Sequence, residues 1–346
     1  MIRAKCDLSI ELERPDRRYA PGDRITGLVR VSVDAQTKCD ALTLTRQWRT
    51  HGKGNRASGP EDAISLFSGE WRPGTYTYAF DVACPEGPPT YHGRILNVDW
   101  YLDARADVPW AIDAKTSTDV FVEPRPGVET EISVTRGAAS SAMAGLIVGL
   151  FMIPFVLVGL GVLGAGLVQG DIALLGFGGF WLLIVSGFIA LIVKQRLARQ
   201  AFKRLDTALE RVAPDRVAVV VDYASDKVIN AVLAKLVVME VVVRGSGTDK
   251  TTYRETIYQA IQPIPIGHLG QSSFRAELAL PDPRAVGWSF EARDNQLIWS
   301  IVLDFDIESW PDLEERLALN VRPSLGEVPG PYRSAGVDYT SRFGPS

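Results

Sequence analysis

Histidine and cysteine are scarce in this chain, three of each, and that shortage closes off several kinds of chemistry. Cys6, Cys39 and Cys84 all fall in the first third, odd in number and distant from one another. This is neither a disulfide framework nor a CxxC metal clip; the residues read as free thiols in a reducing compartment. His51, His92 and His268 lie far apart with no HExxH or related spacing, so no metal ligands are assigned. No GxSxG elbow occurs, and Ser272-Ser273 near His268 lacks that setting. "HGKGNRASGPED" (51–62) has glycine and lysine without the GxxxxGK[ST] order, and it reads as a solvated hairpin loop. Asp304 and Asp306, the nearest approach to paired carboxylates, share the polar face of one strand and read as surface. No catalytic residue, cofactor site or metal site is implied, and the expectation is a protein that is not an enzyme.

A dominant charge is lacking too. The net charge is −4, with basic and acidic residues interspersed, so there is no broad electropositive footprint and nucleic acid is not expected as a partner. The opening "MIRAKCDLSIELERPD" turns charged again at once, unlike a signal peptide or lipidation motif.

What the chain does hold is a long apolar block. Between Ala142 and Val193 the only charged residue is Asp171. A single helix of that length far exceeds a hydrocarbon core of roughly 30 Å at about 1.5 Å per residue. Gln169-Gly170-Asp171 divides the block into two spans, 142–168 and 172–193. An aspartate at mid-bilayer costs about 2.5–3.5 kcal/mol, which places Asp171 in an interfacial turn. Lys194, Arg196, Arg199, Lys203, Arg204 and Arg211 follow the second span, Arg125 and Arg136 precede the first, and the turn has no basic residue. The positive-inside rule then puts both ends in the cytoplasm. The stretch 194–212 reads as a helix continuing from the second span, its basic end at anionic headgroups. Gly145-x-x-x-Gly149 allows close helix packing, within the hairpin or in a homo-oligomer.

On either side of the block the residues alternate with period two. Ile25, Gly27, Val29, Val31 and Val33 share one face after a Pro21-Gly22 turn, and Arg72-Pro73-Gly74 marks another turn. Val98, Trp100, Leu102, Ala104, Ala106 and Val108 form one apolar face; Leu297, Trp299, Ile301, Leu303, Phe305 and Ile307 form a second. Asn97 and Trp100 correspond to Asn295 and Trp299 with one residue of slip, and Val122-x-Pro124 matches Val321-x-Pro323. A proline-bearing loop stands before each copy, "CPEGPPTYHG" and "LPDPRAVGWS". A repeat this long means two domains of one fold, here antiparallel sandwiches. Trp100 and Trp299 read as core. Trp110 and Trp310, near the strand ends, are either rim residues available to a partner or packed in their loops.

These stretches resemble the arrestin-like superfamily of tandem β-sandwiches. "YAPGDRITGLVRVSV", "WRPGTYTYAFDVACPEGPPTYHG" and "VDWYLDARAD" carry the likeness upstream. Glu240 after an apolar strand, "LPDPRAVGWSF" and "NQLIWSIVLDFDI" carry it downstream. The resemblance implies a protein-binding scaffold. It departs from the family in its apolar hairpin, and receptor-regulating residues have no counterparts by position.

The expected architecture is therefore mainly β: two arrestin-like, immunoglobulin-like antiparallel sandwiches (1–127 and 215–323) separated by a two-helix transmembrane hairpin and a cytoplasmic helix, with a disordered tail at 324–346. The expected partners are the lipid bilayer and proteins as yet unidentified. The expected role is a membrane-anchored adaptor or, alternatively, an accessory subunit whose hairpin packs against a larger membrane protein.

Overall fold

The computed structural model describes residues 6–135, 142–265 and 271–324. The expected tail lies outside the described residues from 325 onward.

Alternating apolar residues build the first sandwich. Its strands are β1 (Cys6–Leu12), β2 (Arg18–Tyr19), β3 (Arg24–Val33), β4 (Thr37–Gly52), β5 (Asp62–Trp71), β6 (Gly74–Ala83), β7 (Tyr91–His92), β8 (Leu96–Asp107) and β9 (Ala114–Val122). One sheet runs β1-β3-β6; the other runs β2-β9-β8-β4-β5, with β7 also on β8. Every second residue of β3 from Ile25 to Val33 is buried, as the period-two pattern requires. The turn before it depends on Gly22 at φ +88°, a conformation that favours glycine.

The second sandwich repeats this plan. It consists of β10 (Thr130–Thr135), β11 (Phe202–Ala213), β12 (Arg216–Ser225), β13 (Ile229–Arg244), β14 (Thr251–Ile264), β15 (Gln271–Ala279), β16 (Phe290–Ala292), β17 (Asn295–Ile307) and β18 (Leu313–Pro323). A short helix, Pro283–Val286, precedes β16. The sheets are β11-β12-β15 and β10-β18-β17-β13-β14, with β16 also on β17. Apart from one edge strand this is the strand order of the first sandwich; β2 runs parallel to β9, whereas β10 runs antiparallel to β18 and precedes β11 in the chain.

Hydrogen bonds fix the register of the repeat. Trp100 Nε1 donates to Pro88 O at 2.8 Å, and Trp299 Nε1 to Gly287 O at 3.0 Å. Val122 O accepts from Thr90 N at 2.8 Å while its own N donates to Thr90 Oγ1; Val321 and Ser289 make the same pair of bonds. Each correspondence spans 199 positions (299 − 100, 321 − 122, 289 − 90). At that offset Asn97 matches Gln296, so the slip between Asn97 and Asn295 is real and the two asparagines sit in different places.

The helical hairpin comprises α1 (Ala142–Gln169) and α2 (Ile172–Gln200). Gly170 at φ +65° makes the turn, and Asp171 caps α2 by accepting from Ala173 N at 2.8 Å and Leu174 N at 3.4 Å. Gly159 lies under Leu182 and Trp181, and Gly178 against Leu163, positions where a Cβ would collide. Gly145 and Gly149 fall in a part of α1 whose side-chain surroundings lie outside the described residues.

Two expectations are corrected here. The stretch 194–212 is not one helix, because α2 ends at Gln200 and 202–213 is strand β11, paired along its length with β12. Leu205 and Leu209 satisfy helical spacing and period two alike, and sheet pairing decides between them. The second sandwich therefore begins at 202 rather than 215. It also claims β10, upstream of the hairpin, through antiparallel pairing with β18. The hairpin thus emerges from within the second sandwich, between its first two strands.

Candidate functional site

The two sandwiches meet through the ends at which β8 and β17 begin. There Glu240, wholly buried in β13, accepts from Tyr91 Oη at 2.7 Å, Arg94 N at 3.1 Å and Ile95 N at 2.8 Å. It shares the inward parity of Val232, Ala234, Leu236, Val238 and Val242, so the strand delivers a carboxyl group where an apolar side chain would normally lie. Three donors from the other sandwich satisfy it, which a buried carboxyl group requires. Burial first, and then Glu240, push the Tyr91 hydroxyl well above its usual titration range, so it remains a donor. Gly93 leaves room for it, since a Cβ there would stand 1.5 Å from Glu240 Oε1 and would have to displace the carboxyl group. Arg94 Nη1 reaches Glu255 at 2.7 Å on the outside of the contact.

A second set of bonds comes from the 51–62 loop. Asn55 donates through Nδ2 to Gly245 O at 2.8 Å and Asp294 Oδ2 at 3.0 Å, and its Oδ1 accepts from Gly245 N at 3.1 Å. Its backbone N donates to Val243 O, and its carbonyl accepts from Asn295 Nδ2 at 2.7 Å. The loop is therefore not simply solvated; it docks on the second sandwich. Trp48 and Phe290 meet edge to face at 5.5 Å between the two networks.

Beside this contact lies a cleft of about 310 Å³. Pro89, Tyr91 and Pro124 line it from the first sandwich, and Pro283, Trp288 and Phe290 from the second. These are the two proline-bearing loops of the repeat, brought face to face. Arg284 Nη2 closes one side by donating to Arg125 O at 3.0 Å. Thr90 and Ser289 hydroxyls are engaged in the paired bonds to Val122 and Val321, so the walls combine proline and aromatic surface with the charged Glu123 and Arg284.

Other expected residues fall as follows. Trp100 and Trp299 are buried. Asp304 pairs with Lys235, and exposed Asp306 accepts from Asn230 Nδ2 at 3.3 Å. Gly74, like Gly22, has positive φ. Trp110 is 99% exposed. Trp310 is partly buried at the foot of α2: its Nε1 donates to Leu197 O at 2.7 Å, and Lys227 Nζ lies 4.3 Å from its ring centre. The histidines are not all far apart, as their spacing had suggested: His51 Nε2 and His92 Nε2 converge on Asp99 at 2.9 and 2.6 Å. His268 lies outside the described residues. Among the described residues no group of three or more His, Cys, Asp or Glu is arranged to hold a metal ion.

No protein-family model and no curated protein matches the chain. Among solved structures it is similar to Spo0M, a sporulation control protein from Bacillus subtilis, at 13% identity and a TM-score of 0.31, over 80% of this chain and 91% of that one. The tandem-sandwich architecture stands on its own strand pairing.

Proposed function

We propose that the chain is a membrane-anchored, non-enzymatic adaptor whose two arrestin-like sandwiches meet protein partners at the cytoplasmic face. The observation that carries the reading is the hairpin's surface. Met152–Gln169 and Ile172–Ala190 are long and apolar enough to cross a membrane, yet only 11% of each is buried in the protein. Leu157, Phe180 and Leu183 stand 62–70% exposed, which a core helix of a soluble protein would not tolerate. Distribution of Lys and Arg supports cytoplasmic sandwiches. The interdomain cleft and the open edges of β5 and β14 are the surfaces offered to partners.

A second reading, an accessory subunit packed against a larger membrane protein, draws on the glycines of the hairpin. Gly176, Gly179 and Gly187 share one face of α2 at about 100° per residue, and a Cβ at any of them would meet nothing within 4 Å. Small residues on one face permit close helix approach.

Membrane insertion and orientation are tested by single reporter cysteines in a background with the native ones replaced. Cys6, Cys39 and Cys84 are buried, and burial above all pushes Cys39 to about 11 and Cys84 to about 12, so they would label poorly on either side. Exposed Ser117→Cys and Thr252→Cys should stay unlabelled by an impermeant thiol reagent in intact cells, and Gln169→Cys should label. Labelling at 117 or 252 would reverse the orientation, and recovery of the chain in the soluble fraction would remove the anchor. Exchanging the hairpin for an unrelated one separates the two readings: an adaptor keeps its partners, an accessory subunit loses them.

A further inference from the structure

The two sandwiches carry the same loop at their far ends, and only one of the two is covered. Ala111 N donates to Val108 O at 3.3 Å, and Trp310 N to Ile307 O at 3.2 Å, one repeat offset away. The preceding residues, Trp110 and Ser309, both lie in the left-handed region, at φ 59° and 52°. In the second sandwich the tip seats the last turn of α2. Trp310 binds the Leu197 carbonyl, Ala198 of the same helical turn is buried, and Arg199 pairs with Glu315 at 3.1 Å. In the first sandwich nothing among the described residues covers the tip, and Trp110 and Ile112 are 99% and 59% exposed. A left-handed backbone is unfavourable for a bulky residue, and no core contact of Trp110 offsets it. Asp113, held by Arg105 Nε and Nη2 at 2.9 and 2.6 Å, stiffens the loop.

Acidic groups outnumber basic ones at this end of the sandwich. Lys38 pairs with Asp40 and Arg105 with Asp113, and Lys115 also acts on Asp113. Asp107, which ends β8, and Asp7 and Asp34, which act on the Cys6 thiol, have no cation paired with them among the described residues. β8 starts at the interdomain contact and ends at this tip, as β17 starts at the contact and ends at the hairpin foot. The unpaired carboxylates disfavour an anionic bilayer as the surface the tip meets.

We propose that the Trp110–Asp113 tip docks the C-terminal end of an apolar-faced α-helix in a protein partner, one with Lys or Arg in its last turn. This rests on the adaptor reading and names the partner chemistry for one surface. Helix C-termini present unpaired carbonyls for an indole N–H and favour basic residues, and the internal precedent is the equivalent loop, which seats the end of α2 through Trp310, one position beyond the counterpart of Trp110. The test places a photoreactive benzophenone amino acid at position 112 of the full chain in native membranes. Controls carry it at exposed Ser117 and at cleft residue Arg284, and adducts are mapped by mass spectrometry. The expected result is a protein adduct at 112 that maps to a basic-ended helix. Its yield should fall at least ~tenfold with Trp110→Ala, fall with Asp107→Lys, and decline with added salt, while the melting temperature of both variants is unchanged. A lipid adduct, a second copy of this chain, a partner segment without that basic helix end, or no adduct at 112 overturns the proposal. Adducts confined to the control positions would sink the tip and leave the adaptor standing; no protein adduct at any of the three positions would count against the adaptor itself.

Discussion

Replacing Glu240 with alanine removes the acceptor for three donors at once, and the cost can be worked from the contacts. Tyr91 Oη, Arg94 N and Ile95 N would all lose their partner. An unsatisfied buried donor costs about 1–3 kcal/mol, so the three together come to roughly 3–6 kcal/mol after partial relaxation. For a chain of this size each kcal/mol moves Tm by roughly 2–4 °C, so the midpoint should fall by roughly 6–24 °C. Glu240→Gln keeps one acceptor oxygen for Tyr91 and Arg94 and turns an amide toward Ile95 N. It should lose about 1–3 kcal/mol. Gly93→Ala should damage the same contact by a different route, because its Cβ would meet Glu240 Oε1 at 1.5 Å and Tyr91 Oη at 2.6 Å. The two are coupled: in the Glu240→Ala background the worst collision is gone, so Gly93→Ala should cost clearly less there than alone. The assay is thermal unfolding of the full chain in detergent, with intrinsic fluorescence reporting on Trp48 and Trp288 near the contact. A Glu240→Ala protein within about 0.5 kcal/mol of wild type, or full additivity with Gly93→Ala, would refute the idea that this carboxyl group joins the sandwiches.

Trp310→Phe should loosen the foot of the hairpin by about 1 kcal/mol, the net worth of its bond to Leu197 O; faster amide exchange across Phe202–Ala213 is the readout, and unchanged exchange would mean the bond is dispensable. Asp23 should give a pH signature. Burial, its largest single influence, pushes its titration up, but bonds from Ala20 N, Arg14 and Arg125 together outweigh burial and hold it below the ordinary aspartate value of 3.8. A depressed folded value stabilises above the unfolded one and is lost as pH falls through the folded one. Asp23→Asn should therefore be less stable than wild type at pH 7, the gap narrowing as pH falls below about 3.8; a gap that does not narrow with falling pH would refute it.

Much of the fold was legible because alternation and the repeat are local or self-referential signals. The faces read from Ile25–Val33, Val98–Val108 and Leu297–Ile307 are buried as their parity demands, and the Val122 and Val321 match carries the same pair of hydrogen bonds in both sandwiches. What misled was the junction after the second span. Leu205 and Leu209 fit a helix as well as a strand, and only the neighbouring β12 makes the strand the better solution. Strand β10 was invisible for a related reason: its partner β18 lies nearly two hundred residues away, and no local pattern encodes a pairing across the hairpin.

The interdomain contact shows where a sharper reading had a foothold. Glu240 follows Val232, Ala234, Leu236 and Val238 in strict alternation, so its parity alone places a carboxyl group in the core. A buried carboxyl group needs donors, and that demand points to backbone amides or hydroxyls brought from elsewhere. Which ones could not be read, because Tyr91, Gly93 and Arg94 lie in and just after the two-residue strand β7, near 150 positions upstream. Asn55 posed the same difficulty inside a loop whose composition reads as solvated. Both cases share one cause. Residues that bind one sandwich to the other obey the pattern of neither domain, and they stand out as local misfits: a charge on an inward face, a fully engaged asparagine in a glycine-rich loop. Trp110 is a misfit of the same kind, a large apolar side chain in a left-handed turn, and no described residue covers it. The two satisfied misfits lie where the sandwiches touch each other, and the unsatisfied one lies at the opposite end, where an adaptor held at the membrane would have to reach outward.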